Sequence, residues 1–484
     1  MENLDPKEVW NYFEEITKIP RCSGEEEKVR EFVRSVAEEK GYEIDIDDVG
    51  NILVKKPGTI KNAPPLVIQS HLDMVCEKTS ESNHDFSEDP ITMRKENGWI
   101  TADGTTLGAD NGIGVAISLA MMTDDELTHG PLEFLFTVEE ETGLTGAKGL
   151  EPEFFDGRTL INLDSEQFGS FTIGCAGSGD STLKLPVEHK KIDDGNLFEI
   201  KLNGFKGGHS GLDIGKGREN ANKVLSRLLY EAVKVVDSSG GDLSILDIEG
   251  GSKRNTIPKE SKAVIRIDDQ TEKVKEHIKD VFTKIKEECS AVEKDVRLDI
   301  HSYELNGEKQ IKKEDSKKIV ELIEALPNGV QSMSKEVPDL VKTSTNLATI
   351  SLENDNFVIT MMTRSSSEFE LTATRDKIKI TAERFGCEVE ETEAYPGWQP
   401  NLGSDILQIS KDTYKKNFGG EAKIEALHAG LETGIIGENF EDMDMISFGA
   451  TLEGAHTPEE KVDIKSVENT WKLLTNICEE FATK

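Results

Sequence analysis

The chain has 484 residues, of which 36% are hydrophobic and 31% charged, and a formal net charge of -36. That length calls for two domains of ordinary size, and no apolar run approaches the roughly 20 residues of a membrane span. The acid excess argues against nucleic acid or an anionic membrane surface as partner. Six scattered cysteines without a CxxC pair, together with an acidic N-terminal stretch unlike a signal peptide, lead us to expect reduced thiols and a cytoplasmic location.

Asp5 and Pro6 open an expected helix whose apolar stripe is Val9, Phe13 and Ile16. Ser23 and Glu26 have capping-box spacing for a second helix, which carries Val29, Phe32, Val33 and Val36 on one face and stops at Gly41. Strands are expected at residues 49–55, 66–69 and 132–138, with a helix at 112–122. Such alternation predicts an α/β layer with a mostly parallel sheet.

The texture changes near Pro186, after which residues 190–195 are polar and turn-rich. An α+β pattern follows: strand 198–202, helix 220–234, strands 243–248 and 263–267, and helix 274–286. Helix 316–325, strand 357–362, helix 374–385 and strand 388–391 then resemble a second copy, giving two similar halves of about 100 residues. The turn-rich segment from Tyr395 to Pro400 leads back to the first domain, completed by helix 405–414, strand 445–448 and helix 466–481. The expected division is residues 1–186 with 396–484 against 187–395.

His71-Leu72-Asp73 ends the strand at 66–69, where open α/β sheets place functional groups. Alternation along the strand puts both side chains on one side, so Asp73 can steady the imidazole. Read alone, the pair is weak evidence and more often an ordinary polar strand end. Asp110, bracketed by Gly108 and Gly112, is either a helix cap or a ligand. Glu139, Glu140 and Glu141 follow the strand at 132–138; they are either solvated acids or a buried cluster that needs a compensating cation. Asp164 closes another apolar strand, and His456 follows much later in Gly454-Ala455-His456-Thr457-Pro458. Together His71, Asp110, Glu141, Asp164 and His456 form a nitrogen-and-oxygen ligand set suited to zinc or a similar divalent ion. Two ions sharing one carboxylate at roughly 3.5–4 Å fit this set better than one. A proton acceptor is still required, and Glu140 is the choice from the glutamate run.

The motifs HLDMV, LGADNG, EEETG, INLDSE and GAHTPEE, in that order, resemble those of the aminoacyl-histidine dipeptidases, also called Xaa-His or cytosol non-specific dipeptidases, within the co-catalytic zinc peptidases. GGHSGLDIG at 207–215, GGSKRNTIP at 250–258, YPGW at 395–398 and HAGLE at 428–432 extend the resemblance over nearly the whole chain. It implies a three-layer α/β catalytic domain with an inserted α+β lid. Asp110 would bridge two ions, with His71 and Asp164 on one and Glu141 and His456 on the other. Asp73 would orient the imidazole, and Glu140 would be the base for a metal-bridged water. Alignment on Gly143 selects Glu140 and Glu141 from the run and leaves Glu139 as the extra acid. His209 resembles the lid histidine that donates to a developing oxyanion, with a glycine-flanked turn as its plainer reading. Arg254 and Asn255 would contact the peptide's carboxylate or carbonyl, while His428 and Glu432 would line the pocket or serve the fold. The implied activity is hydrolysis of dipeptides, including carnosine-type Xaa-His substrates. Tripeptide cleavage and N-acyl removal are the neighbouring activities, and non-catalytic metal binding is the reading of a different class. Two Zn2+ ions are expected, with Mn2+ or Co2+ possible, and the partners are small peptides and a second copy in a homodimer.

Overall fold

Apolar residues dominate the strands Leu66–His71 and Leu132–Thr137, and every residue of both is buried. Burial on both faces means that both sides of the sheet are covered, the usual condition of parallel strands in α/β proteins. The molecule is described here from a computed structural model covering residues 4–305, 307 and 309–484. Its first unit comprises residues 1–175, 398–426 and 431–484. There an eight-stranded sheet has the order Glu43–Ile46, Ile52–Lys56, Leu132–Thr137, Leu66–His71, Thr159–Asn162, Asp444–Ser447, Ser170–Cys175, Lys423–Leu427. Its central four strands are parallel. Antiparallel pairings flank them.

The helix Lys7–Ile16 buries Val9, Trp10, Phe13 and Ile16, as its spacing predicts. Glu27–Lys40 ends on Gly41 in the left-handed region, where glycine carries no Cβ penalty. The expected capping box is not made. Ser23 Oγ donates to Asp73 Oδ2 at 2.7 Å, and Glu26 Oε1 accepts from Gly24 N at 2.9 Å and Glu139 N at 3.1 Å. Both residues are taken up by the strand ends that carry the acids. Helix Ala109–Thr123 is almost wholly buried, and because Asp110 and Asn111 hold non-helical backbone angles its regular part begins at the expected 112.

A four-stranded sheet in the same unit determines where the late histidine goes. The strands Leu452–Glu453 and Lys461–Asp463 form an antiparallel pair around His456. Lys461–Asp463 pairs with Trp99–Ala102, a few residues before Asp110.

The thiol expectation fails at one pair: Cys22 and Cys76 form a disulfide, their Cα atoms 5.8 Å apart. They are 54 positions apart, but Cys22 bridges to Met74 in parallel fashion, which brings the two sulfurs together. Cys175, Cys289, Cys387 and Cys478 are free and buried. Among the described residues no helix is long and apolar enough to cross a membrane.

The second unit comprises residues 176–397 and 427–430. Its break falls at Cys175 rather than Pro186 because Gly177–Pro186 pairs with Asn356–Ser365 along its whole length and also with Glu388–Glu391. One half of its sheet has the order Arg297–Ser302, Asn196–Asn203, Ser261–Ile267, Leu243–Gly250. The other half continues as Val341–Glu353, Asn356–Ser365, Gly177–Pro186, Glu388–Glu391. Along the chain the sheet strands just named and their helices repeat one strand–helix–strand–strand–helix–strand order in each half, and the halves join where Gly250 pairs with Ile350. The first half lies inside the second in sequence, since Gly177–Pro186 precedes everything in it.

Candidate metal centre

Three of the four parallel strands of the first unit deliver the polar groups at their carboxyl ends, where an α/β sheet opens. His71 comes from Leu66–His71, Glu140 and Glu141 from the turn after Leu132–Thr137, and Asp164 from the loop after Thr159–Asn162. His71 Nε2 lies 3.2 Å from Asp110 Oδ1 and 3.2 Å from Asp164 Oδ1. The other oxygen of Asp110 lies 3.1 Å from His456 Nε2, which is itself 3.0 Å from Glu141 Oε2. Two triads of one imidazole and two carboxylates therefore share Asp110, one oxygen to each. All five expected ligand residues converge here. His71, Asp110 and Glu141 can each turn one ligand atom to within 4.8 Å of the others.

The electrostatics fit a cation. Burial opposes charge on His71, yet Asp164, Asp110 and Asp73 around it carry its pKa well above the usual range. His456 is pushed up to about 11 by its hydrogen bonds to Asp110 and Glu141. Burial raises Asp164 well above an ordinary carboxylate, and the charge of Asp110 adds to the effect. Among the described residues Glu141 Oε1 is buried with no hydrogen-bond partner. Carboxylates crowded at this density repel unless a metal neutralises them, and the donors are those that hold zinc-like ions.

Asp73 organises the cluster from behind. Its Oδ1 is 3.3 Å from His71 Nδ1 and accepts from Glu140 N at 3.0 Å; Oδ2 accepts from Glu141 N at 3.1 Å. Burial works against its charge, but these bonds and that of Ser23 take its pKa down to about 2. Asp73 therefore sets an imidazole and the turn bearing two glutamates at once. Glu140 is driven well up, first by burial and then by the charges of Asp164, Glu141 and Glu432.

Glu432 lies wholly buried in this unit. Gln69 Nε2 and Thr137 Oγ1 donate to its Oε2 at 2.6 and 2.7 Å. Gln69 Oε1 accepts from Asn162 Nδ2 at 2.6 Å, so the polar chain crosses three strands beneath the ligands.

His209, Arg254, Asn255 and His428 belong to the second unit. His209 Nδ1 accepts from Gly211 N and Leu212 N at 3.2 and 3.1 Å, which assigns the N–H of the neutral ring to Nε2. Arg254 Nη1 is engaged by Asp180 Oδ2 at 2.6 Å. The Asn255 carbonyl accepts from Ser210 N at 2.8 Å. His428 is buried with Nε2 2.7 Å from Ser344 Oγ; burial, then the charges of Arg364 and His209, push its pKa down to about 3.

Three groups at these sites escaped the sequence reading. Arg364 is a buried guanidinium, 3.5 Å from His209 Nε2 and 3.5 Å from the Tyr395 hydroxyl, with no carboxylate in ion-pair range among the described residues. Arg21 and Glu460 are buried beside the Asp110 loop. Glu460 stands inside the quoted GAHTPEE motif, which was its only signal; Arg21 had none.

A model of the peptidase family M20/M25/M40 matches residues 67–480. The chain is 37% identical over 488 residues to the cytosol non-specific dipeptidase of Escherichia coli K12, covering 100% of this chain and 99% of that one. The crystal structure of the aminoacylhistidine dipeptidase from Vibrio alginolyticus superposes with a TM-score of 0.90 at 36% identity, over 99% of this chain and 97% of the other. A tripeptidase from Staphylococcus aureus shares the fold alone, with a TM-score of 0.57 at 17% identity over 99% of this chain and 100% of the other.

Proposed function

The chain belongs to peptidase family M20/M25/M40, and on that footing we propose that it hydrolyses dipeptides, Xaa-His among them, at a centre for two divalent ions. The observation that carries this reading is Asp110, whose two oxygens each face the Nε2 of a different histidine. The full-length likeness to two dipeptidases supports the substrate class.

His71, Asp110 and Asp164 would hold one ion, and Asp110, Glu141 and His456 the other, with Zn2+ the first choice and Mn2+ or Co2+ the alternatives. Ions bound there supply polarisation of the scissile carbonyl and a water of lowered pKa. Glu140 takes the proton from the attacking water and returns it to the leaving amine as the C–N bond breaks, a role suited to a carboxylate next to the proposed ligand Glu141 with its amide held by Asp73. Asp73 keeps the His71 ring and the Glu140 backbone in register for that transfer. In the second unit, the Nε2–H of His209 suits a developing oxyanion.

Purified full-length protein supplied with Zn2+, Mn2+ or Co2+ is expected to cleave a dipeptide panel, including Xaa-His members, and to lose this activity to a chelator. Turnover confined to tripeptides or N-acyl amino acids would reassign the substrate, and no hydrolysis with any of the three metals would end the reading. A cytoplasmic homodimer belongs to the same proposal, and sedimentation as a monomer would remove that part of it.

A further inference from the structure

The segment Leu107–Asp110 is gripped from two sides by charged residues outside the ligand set. Glu460, 2% exposed, accepts from Leu107 N at 2.7 Å and Gly108 N at 2.9 Å through Oε2, and from Ala109 N at 2.7 Å and Asp110 N at 3.1 Å through Oε1. Arg21, also 2% exposed, donates from Nη1 to Leu72 O at 2.8 Å and Asp73 O at 2.9 Å, and from Nη2 to Gly108 O. The guanidinium thus ties the carbonyl side of the Asp110 loop to the two carbonyls that follow His71. The carboxylate ties the amide side of the same loop to the turn that carries His456.

Helix capping accounts for little of this. A capping side chain serves one or two amides of a helical first turn, whereas Glu460 takes four, from a stretch with Gly108 in the left-handed region and Asp110 at φ -81°, ψ 112°. The glycines that bracket Asp110 report the same constraint. A Cβ on Gly108 would lie 2.5 Å from Arg21 Nη2, and one on Gly112 would lie 2.6 Å from it. Both glycines leave room for the guanidinium, whose charge sits among Glu460, Asp73, Asp110 and Glu141.

We propose that Arg21 and Glu460 are positioning residues that set Asp110 between the two ion positions, Arg21 acting on the His71 side and Glu460 on the His456 side. The proposal rests on the two-ion reading above. Groups that orient ligands from behind typically change metal affinity by about 10- to 100-fold, so the two residues separate by which ion they affect.

The test is calorimetric titration of Zn2+ into the metal-stripped full chain. Wild type comes first: fewer than two bound ions would fell the two-ion reading itself. Glu460→Gln and Arg21→Lys are then each combined with His456→Ala, which leaves the His71 side, and with His71→Ala, which leaves the other. Arg21→Lys is expected to weaken the remaining ion about 10- to 100-fold in the His456→Ala background and little in the other, with Glu460→Gln showing the reverse. No loss, or equal loss in both backgrounds, overturns the assignment. Should a variant fail to fold, amide hydrogen exchange on metal-stripped wild type decides the matter. The amides of residues 107–110 are expected to exchange as slowly as a helix interior, and exchange at open-loop rates overturns the proposal.

Discussion

His456 Nε2 lies 3.1 Å from Asp110 Oδ2 across 346 positions of chain. The pairing of Lys461–Asp463 on Trp99–Ala102 makes this possible, since it returns the C-terminal segment to the start of the Asp110 loop. His456 also holds a left-handed φ of 63°, uncommon for a non-glycine residue, with its side chain half exposed at 51%. Histidine at a rim position in that conformation serves the fold poorly, and its two carboxylate neighbours explain why it is kept there. His456→Ala is therefore expected to lose one of two bound ions, and to destabilise the metal-free protein at neutral pH because Asp110 and Glu141 lose their cationic partner. Elemental analysis of bound metal after gel filtration measures this. Two ions retained per chain would show that His456 is no ligand.

Glu140 sits one residue before Glu141, a proposed ligand, with its amide fixed by Asp73 and its carboxyl driven upward by burial. Glu140→Gln keeps the shape and removes the proton transfer. The expected result is a fall in kcat of about a hundred- to ten-thousand-fold with metal content and KM little changed. A full-speed variant would hand the base role to another residue, with Glu139 first to be tried. A fall in metal content instead would make Glu140 a ligand and Glu141 its neighbour in role.

Gly108 gives a prediction about stability rather than turnover. Its φ of +69° costs a side-chain-bearing residue about 1–2 kcal/mol, and a Cβ there would also come within 2.7 Å of Met74 Sδ and 2.5 Å of the Arg21 guanidinium. Gly108→Ala should lower the first thermal transition of the metal-free chain, read by near-ultraviolet circular dichroism, by more than the same change at Gly24, where a Cβ meets nothing and φ is +84°. Equal losses at both positions would mean that the crowding around Gly108 relaxes without cost.

The convergence of the five proposed ligands could be read from the sequence because the sheet writes it there. Three of the four parallel strands lead from apolar residues to His71, to Glu140 and Glu141, and to Asp164, and parallel strands collect such ends on one side. What stayed hidden acts through the backbone. Arg21 and Glu460 grip carbonyls and amides, which carry no residue-type signal, and Ser23 and Glu26 had a capping pattern that the strand ends claimed instead. The break between units was misplaced for a related reason. Gly177-Ser178-Gly179-Asp180-Ser181 lacks the β-branched and aromatic content of a strand, and it is one because Asn356–Ser365 pairs along it. The Cys22–Cys76 link likewise depends on a bridge to Met74 that spacing does not reveal.

His428 offers a pH test in the second unit. Burial lowers its pKa to about 3, and the nearby charges of Arg364 and His209 act in the same direction, while the unfolded chain titrates it near 6.5. Between those values the unfolded state binds a proton that the folded state refuses, so stability rises with pH across that window. The contribution is fully present above about 6.5 and drains away as the pH falls toward 3. Wild type should therefore lose thermal stability between pH 7 and pH 4.5 more steeply than His428→Asn, which has no ring to protonate. The variant should also be less stable at pH 7, because the bond to Ser344 Oγ at 2.7 Å is disturbed. The quantity to compare is the slope of the melting temperature against pH, since this separates titration from simple loss of packing. Parallel slopes would show that His428 protonates in the folded protein with little penalty, through an opening of the Ser344 contact that lets water reach the ring.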